Sequence, residues 1–259
     1  LFAGAILTRL TDASPFIRFA TLSDHDLNFF DVPAFAKQAL ADSHSLAALL
    51  DHTLLKPEAS EAQVIQHCNE ALEYKFACVV TNPSWTALVY SLLQGSSVKT
   101  AAVVGFPLGA SLMTSKREEA DELLRLGARE IDMVMNIGAL RSGNRKLVQQ
   151  DIRAVVEVAH AAGAVVKVIL ETCLLTLEEK ILASELAIAA GADFLKTSTG
   201  FSTGGATVHD VGLLRGVAGN RCEVKASGGI RTLADARRMI EAGASRIGTS
   251  ASVNIIREM

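Results

Sequence analysis

The chain lacks most of the features that would place it at once. No run approaches the roughly eighteen uninterrupted apolar residues that a membrane-spanning helix needs, so no membrane partner is expected. No basic stretch is clustered and the formal net charge is −3, which leaves nucleic acid no electrostatic footprint. Cysteine is scarce: Cys68, Cys78, Cys173 and Cys222 fit neither a Cys-x-x-Cys pair nor a zinc framework. Three of the four lie in or beside apolar runs, where a free thiol behaves as a small hydrophobe, and a reducing, cytoplasmic location is expected. No histidine pattern suggests an activating partner for Cys78. The six histidines are scattered without ligand spacing, so no metal is expected, and His52, beside Asp51 at a strand start, is read as structural. The apolar start, residues 1–7, is too short for a secretory core and has no basic leader.

What is present is a composition of 49% hydrophobic and 20% charged residues, enough apolar surface for a sizeable core. From about residue 50 one rhythm runs through the chain. Short, β-rich apolar runs at His52–Leu55, Ala77–Thr81, Lys99–Phe106, Glu130–Asn136, Val165–Glu171, Phe194–Ser198, Glu223–Ala226 and Arg246–Thr249 alternate with segments of helical period. Among the latter are Glu61–Tyr74, Thr114–Leu126, Arg145–Ala162, Leu177–Ala190, Val208–Val217 and Thr232–Ala242. The repeat is roughly 24 to 34 residues, the size of a βα unit. Four helices end on a matching phrase (Leu126-Gly127-Ala128, Ala162-Gly163-Ala164, Ala190-Gly191-Ala192, Ala242-Gly243-Ala244) in which the glycine supplies a left-handed stop.

Eight such strands fit an α/β fold of the (β/α)8 barrel type, with residues 44–259 as the barrel. An open doubly wound sheet is the alternative, and it lacks a Gly-x-Gly-x-x-Gly fingerprint after the first strand. Residues 1–43 break the rhythm and are read as an N-terminal helical extension, with Val32–Leu40 weakly periodic. The last helix is expected to be short.

In such a barrel the chemistry sits at the C-terminal ends of the strands. Period-two alternation puts Asp132, Val134 and Asn136 on one face, Lys167, Ile169 and Glu171 on another, and likewise Phe194, Lys196 and Ser198, then Glu223, Lys225 and Ser227. If these faces point inward, Asp132, Lys167, Glu171, Lys196 and Lys225 share the interior. A purely structural interior would hold branched aliphatics. Three lysines also outnumber two carboxylates, so an ion network that merely ties strands together accounts for Lys167 better than for Lys196 and Lys225. Two ammonium groups ~5 Å apart at an effective dielectric of ~20 repel by roughly 3 kcal/mol. That lowers one lysine's pKa by about two units, and desolvation lowers it further. A lysine with a usable free-amine fraction attacks carbonyls and forms a Schiff base.

Glycine- and hydroxyl-rich segments follow the last three strands: Thr197 to Thr207, Ser227 to Thr232, and Gly248 to Ala251. Their backbone N–H groups can close on an oxyanion, and barrels often bind phosphate there.

Taken in order, Asp51-His52-Thr53-Leu54-Leu55-Lys56-Pro57, Gly105-Phe106-Pro107-Leu108-Gly109, Glu130-Ile131-Asp132-Met133-Val134, Lys196-Thr197-Ser198-Thr199-Gly200 and Lys225-Ala226-Ser227-Gly228-Gly229-Ile230-Arg231 resemble the 2-deoxyribose-5-phosphate aldolases from about residue 45 to 251. The resemblance implies a cofactor-free class I aldolase that reversibly cleaves 2-deoxy-D-ribose 5-phosphate to acetaldehyde and D-glyceraldehyde 3-phosphate. It implies Lys196 as the Schiff-base lysine, Lys225 as the neighbour that depresses its pKa and moves protons, and Asp132 as the acid/base carboxylate working through a water. Asp51 would support this network and Thr199 would lie by the substrate hydroxyls. Gly200, Ser202, Gly228, Gly229, Gly248 and Ser250 would hold the phosphate, with Lys167 and Glu171 as secondary candidates. Ala251 stands where many members have a second serine and Phe201 where some have a lysine; both bear on phosphate binding and neither on the lysine chemistry. The short C-terminus is expected to leave out a tail that contributes to the site in some members. The partners implied are small-molecule phosphosugar and aldehyde substrates. Barrels of this type commonly form a homodimer, and the sequence leaves the oligomeric state open. A different Schiff-base aldolase, a phosphosugar isomerase and a barrel that binds sugar phosphate without turnover remain as rival readings.

Overall fold

In a computed structural model the described residues are 30–259, and Asp31–Met259 form one compact unit. The expectations for residues 1–29 lie outside the described residues. Residues 31–43, grouped with the extension from sequence, fall in the same compact unit as the barrel.

Two short helices, α1 (Val32–Ala39) and α2 (Ser43–Ala47), lead into β1 (Leu50–Leu54). Then follow α3 (Glu61–Tyr74), β2 (Cys78–Thr81), α4 (Thr86–Leu93), β3 (Lys99–Val104), α5 (Met113–Arg125) and β4 (Glu130–Val134). The second half runs α6 (Ile137–Arg141), α7 (Arg145–Ala161), β5 (Val165–Ile169), α8 (Leu177–Ala189), β6 (Phe194–Lys196), α9 (Val208–Ala218), β7 (Glu223–Ser227), α10 (Leu233–Glu241), β8 (Arg246–Thr249) and α11 (Ser252–Arg257). The strands are parallel and close in sequence order, β8 pairing back on β1. The fold is the expected (β/α)8 barrel.

Local chemistry explains the punctuation. Three helices open on reciprocal capping boxes, Ser60 with Gln63, Thr176 with Glu179 and Thr232 with Asp235, each satisfying two orphan N–H groups. Gly127 takes φ +106° after α5, with the Tyr90 ring so close that a Cβ would lie 2.2 Å from it. Only glycine fits there on both counts. Several strands, β4 and β5 among them, end short of the expected residue, while β7 runs one further, to Ser227. Asn136 leaves β4 to cap α6 by accepting from Ala139 N, and Glu171 lies beyond β5 at φ 57°. Two further helices, α4 and α6, are too short for their periodicity to stand out in the sequence.

The core has two parts. The larger lies between sheet and helices, with β-strand residues such as Val79, Ala102, Ile131, Met133, Val166 and Val224 packed against the helical ring. Inside the barrel, Leu55, Cys78, Val80, Ala101 and Val103 form a separate apolar patch from β1 to β3. The interior also carries a set of charged side chains, Asp51 on β1 and Glu130, Asp132, Lys167, Lys196, Lys225 and Arg246 on β4 to β8. Neighbouring strands pair Asp132 with Lys167, which are opposite in charge, but also Lys196 with Lys225 and Lys225 with Arg246, so cations stand in adjacent positions on β6, β7 and β8.

Candidate active site

The charged set centres on Asp132, which is fully buried. Its Oδ2 accepts from Lys196 Nζ at 2.6 Å and from Lys225 Nζ at 2.7 Å, and its Oδ1 accepts from Lys167 Nζ at 2.9 Å. Asp51 takes a second contact from Lys225 Nζ through Oδ2, lies 3.6 Å from Lys167 Nζ, and accepts from Arg246 Nη1 at 2.8 Å. Glu130 completes the network, its Oε2 meeting Lys167 Nζ and lying 3.3 Å from Arg246 Nη1. Lys167, Lys196, Lys225 and Arg246 thus face Asp51, Glu130 and Asp132: four cations against three carboxylates.

The amines respond differently. Burial is the largest influence on Lys196 and, with Lys225 and Lys167 nearby, brings its pKa down to about 8 against the pull of Asp132. Burial acts the same way on Lys225, but Asp132 and Asp51 outweigh it and hold its pKa above the ordinary lysine value. Lys167 is likewise raised well above, its three carboxylate neighbours overcoming burial. Burial would raise Asp132, yet Lys167, Lys196 and Lys225 together hold it well below the carboxylate range. From sequence, the free amine is ascribed to repulsion between two lysines. In the structure dehydration leads, repulsion adds, and the lysine that loses affinity for its proton is the one with a single carboxylate contact.

Glu171 does not join the lysines. Past the end of β5 its backbone turns left-handed, and its buried carboxylate accepts from Thr199 N at 3.3 Å and from Thr199 Oγ1. Thr199 Oγ1 in turn accepts from Phe201 N at 3.0 Å. Glu171 therefore fixes the turn after β6, and strand parity could not reveal this because the parity ends at Ile169. Ser198 Oγ is buried without a protein partner at the same end of β6.

The loops expected to hold phosphate are knitted together. Ser227 Oγ donates to Ser198 O at 2.6 Å, and Ala206 N donates to Gly228 O at 3.0 Å. Gly200 takes φ +85°, Gly228 +87° and Gly229 +80°, and Gly200 sits against Gly228. Gly248 lies within β8, where a Cβ would come 2.9 Å from Lys225 Cε and 3.0 Å from Ser227 Cβ, so its smallness also makes room for Lys225. Ser202 is exposed beside Cys173 Sγ at 3.5 Å. Ser250 lines a cavity of about 370 Å³ with His52, Gln66, Glu70, Asn254 and Arg257. Phe201 packs edge-on to Phe106 with centroids 5.3 Å apart.

Glu130 and Arg246 are the members of the network that sequence reasoning misses. A signal exists: Glu130 shares Asp132's parity, and Arg246 opens the last strand on the inward side. Among the described residues two groupings with metal-capable atoms also arise that spacing does not suggest. In the first, His52 Nε2 bonds Glu70 Oε2 at 2.9 Å while its ring stacks on His67 at 3.5 Å and 8°. Imidazole lone pairs lie in the ring plane, so two parallel stacked rings do not converge on one ion. In the second, Asp51 and Glu130 are already engaged by lysine and arginine, and burial pushes the Cys78 thiol well above its ordinary value, which excludes it as a resting nucleophile. All four cysteines are free. Among the described residues no helix is long and apolar enough to cross a membrane.

Comparison with known proteins places this geometry in context. Residues 45–257 match the family model described as DeoC/LacD family aldolase. A deoxyribose-phosphate aldolase of Geobacillus sp. (strain WCH70) is 54% identical over 213 residues, 82% of this chain and 95% of that one. One of Streptococcus sanguinis (strain SK36) is 57% identical over 208 residues, 80% of this chain and 94% of that one. Among solved structures, the tetrameric deoxyribose phosphate aldolase of Aeropyrum pernix superposes with a TM-score of 0.81 at 37% identity, covering 88% of this chain and 96% of its own.

Proposed function

The chain belongs to the DeoC/LacD family of aldolases, and from that premise we propose that it cleaves 2-deoxy-D-ribose 5-phosphate reversibly to acetaldehyde and D-glyceraldehyde 3-phosphate through a Schiff base on Lys196. One observation carries the assignment of residues. Lys196 is a buried lysine whose only carboxylate contact among the described residues, Asp132 Oδ2, is shared with a second lysine, and its pKa falls to about 8. A free amine is thereby held in a dry site beside both a base and a proton donor.

The steps follow. The Lys196 amine attacks C1 of the open-chain aldehyde, and its excess proton passes to the Asp132 carboxylate, directly or over a water. Protonation of the carbinolamine hydroxyl expels water and leaves the iminium. A base removes the C3 hydroxyl proton; the C2–C3 bond breaks, and its electron pair flows into the iminium to give a neutral enamine and glyceraldehyde 3-phosphate. Protonation at C2 and hydrolysis release acetaldehyde and restore the amine. Lys225, still charged at neutral pH and sharing Asp132 Oδ2, is placed to return protons to this carboxylate. Asp51 and Lys167 brace the pair from the other side. Thr199, locked by Glu171, faces the sugar hydroxyls, and the N–H groups around Gly200, Gly228 and Gly229 take the phosphate. Free cysteines throughout support a cytoplasmic setting.

Incubation with acetaldehyde and borohydride followed by peptide mass mapping tests the assignment. A reduced two-carbon adduct is expected on Lys196 and none in Lys196→Leu. An adduct on Lys167 instead would overturn it.

A further inference from the structure

Arg246 takes no part in these steps, although it belongs to the same network. Its guanidinium opens β8 beside Lys225, lies over the Phe194 ring at 5.5 Å, and keeps its charge at any pH the protein meets. Nη1 lies 2.8 Å from Asp51 Oδ1 and 3.3 Å from Glu130 Oε2. Two of the three interior carboxylates are therefore shared with a cation that cannot deprotonate. The lysines compete for what remains: Lys167 touches Asp51, Glu130 and Asp132, Lys225 touches Asp51 and Asp132, and Lys196 touches Asp132 alone. The other elements do not alter this count. β2 contributes Cys78, which stays a thiol, and β3 contributes Ala101 and Val103. On β7, Glu223 is turned away to Arg215 and Ser245.

We propose that Arg246 is a positioning residue that sets the charge count of the barrel interior: by engaging Asp51 and Glu130 it leaves one cation in excess, and Lys196, with the fewest carboxylate contacts, is the amine that gives up its proton. The proposal rests on the reading of Lys196 as the nucleophile. It is distinct from a role in packing, because it fixes the sign of the effect of each substitution. Arg246→Met leaves three cations facing three carboxylates, so Lys196 should hold its proton to higher pH. Glu130→Gln leaves four facing two, so Lys196 should lose it at lower pH. The double variant leaves three facing two and restores the single excess.

The test measures the pH dependence of acetaldehyde trapping on Lys196 by cyanoborohydride, read by peptide mapping, alongside kcat/KM for deoxyribose 5-phosphate cleavage, all on the full chain. The wild-type midpoint is expected near the Lys196 pKa of about 8. In Arg246→Met it should rise by about one pH unit, with about tenfold less trapping at pH 7. In Glu130→Gln it should fall by a similar amount, and in the double variant it should return to the wild-type value. Midpoints that stay put, or that move the same way in both single variants, overturn the proposal. Should Arg246→Met fail to fold for want of a partner to its carboxylates, the downward shift in Glu130→Gln and the return in the double variant still decide. A wild-type protein that traps acetaldehyde but leaves the sugar phosphate intact would sink the functional reading while the midpoints still judge this one. No adduct on Lys196 would overturn both.

Discussion

Lys196 and Lys225 donate to the same oxygen of Asp132, at 2.6 and 2.7 Å, yet their pKa values move in opposite directions. Asp51 makes the difference, because it contacts Lys225 and not Lys196. One carboxylate therefore gives two otherwise matched amines opposite affinities for the proton, which is what the proposed split into nucleophile and proton carrier requires. Environments that push paired groups apart are how a single site supplies both acid and base.

Lys225→Leu follows from this asymmetry. It removes a cation beside Lys196, so the acidic limb of the pH–rate profile should move upward, and it removes the proton carrier, so the maximal rate should fall by about 10²- to 10⁴-fold. Trapping of acetaldehyde on Lys196 should survive at alkaline pH. A variant with an unshifted limb and near-normal kcat would show that Lys225 is only structural.

Asp132→Asn separates amine activation from proton transfer in the other direction. The carboxylate raises the Lys196 pKa, so its loss should let the amine form at lower pH, while kcat drops by about 10²-fold or more for want of a base. Adduct formation and turnover should therefore diverge. If both fall together at every pH, Asp132 is needed for the fold of the site and not for its proton transfers.

How much of this is legible in the sequence depends on what each residue type can announce by itself. The strands and capped helices are legible because burial on both faces leaves continuous apolar runs, and Ser60, Thr176 and Thr232 mark helix starts. Lys196, Lys225 and Asp132 are legible because charge inside a buried period-two strand is costly and seldom serves packing alone. Arg246 and Glu130 do not stand out, since a charge at the first residue of a strand is also what an exposed edge looks like; only closure of β8 on β1 turns Arg246 toward Asp51. Glu171 misleads because strand alternation does not survive the point where its backbone turns left-handed. The room that Gly248 leaves for Lys225 is hidden because a glycine in a loop-like run says nothing about which side chain needs its space.

The space that Gly248 leaves for Lys225 is itself testable. Gly248→Ala places a methyl 2.9 Å from Lys225 Cε and should displace the ammonium from Asp132. Misplacing a catalytic group by about 1 Å costs on the order of 10²-fold, so kcat should fall while KM for the sugar phosphate stays near the wild-type value. A change confined to KM would instead support Gly248 as a phosphate ligand alone.

Glu171→Gln probes the turn after β6. The amide keeps one acceptor for Thr199 but weakens the interaction by about 1–2 kcal/mol, so KM should rise by about 5- to 30-fold with kcat little altered. Glu171→Ala should go further on the same axis. A loss of kcat at constant KM would instead tie Glu171 to the chemistry at Lys196.

The depressed lysine leaves a mark on stability whose sign can be worked out. Lys196 has an ordinary value of 10.5 and a folded value of about 8. Between those limits the unfolded chain binds the proton and the folded chain does not, so ΔG of unfolding rises with pH across that window. Below pH 8 the folded state carries the full cost of a buried, poorly compensated ammonium; near pH 10.5 that cost has gone. The difference amounts to about 3 kcal/mol at most, at ~1.36 kcal/mol per unit. Lys167 and Lys225 act oppositely, since their raised values stabilise the fold below the ordinary lysine pKa and lose that effect only at more alkaline pH. Urea midpoints measured from pH 7.5 to 10 on wild type and Lys196→Met isolate the contribution. Wild type should gain on the variant as pH rises, because the variant has removed the penalty at every pH. A constant gap between the two would mean that Lys196 carries no depressed pKa, and the free amine on which the aldol chemistry depends would have no source in this fold.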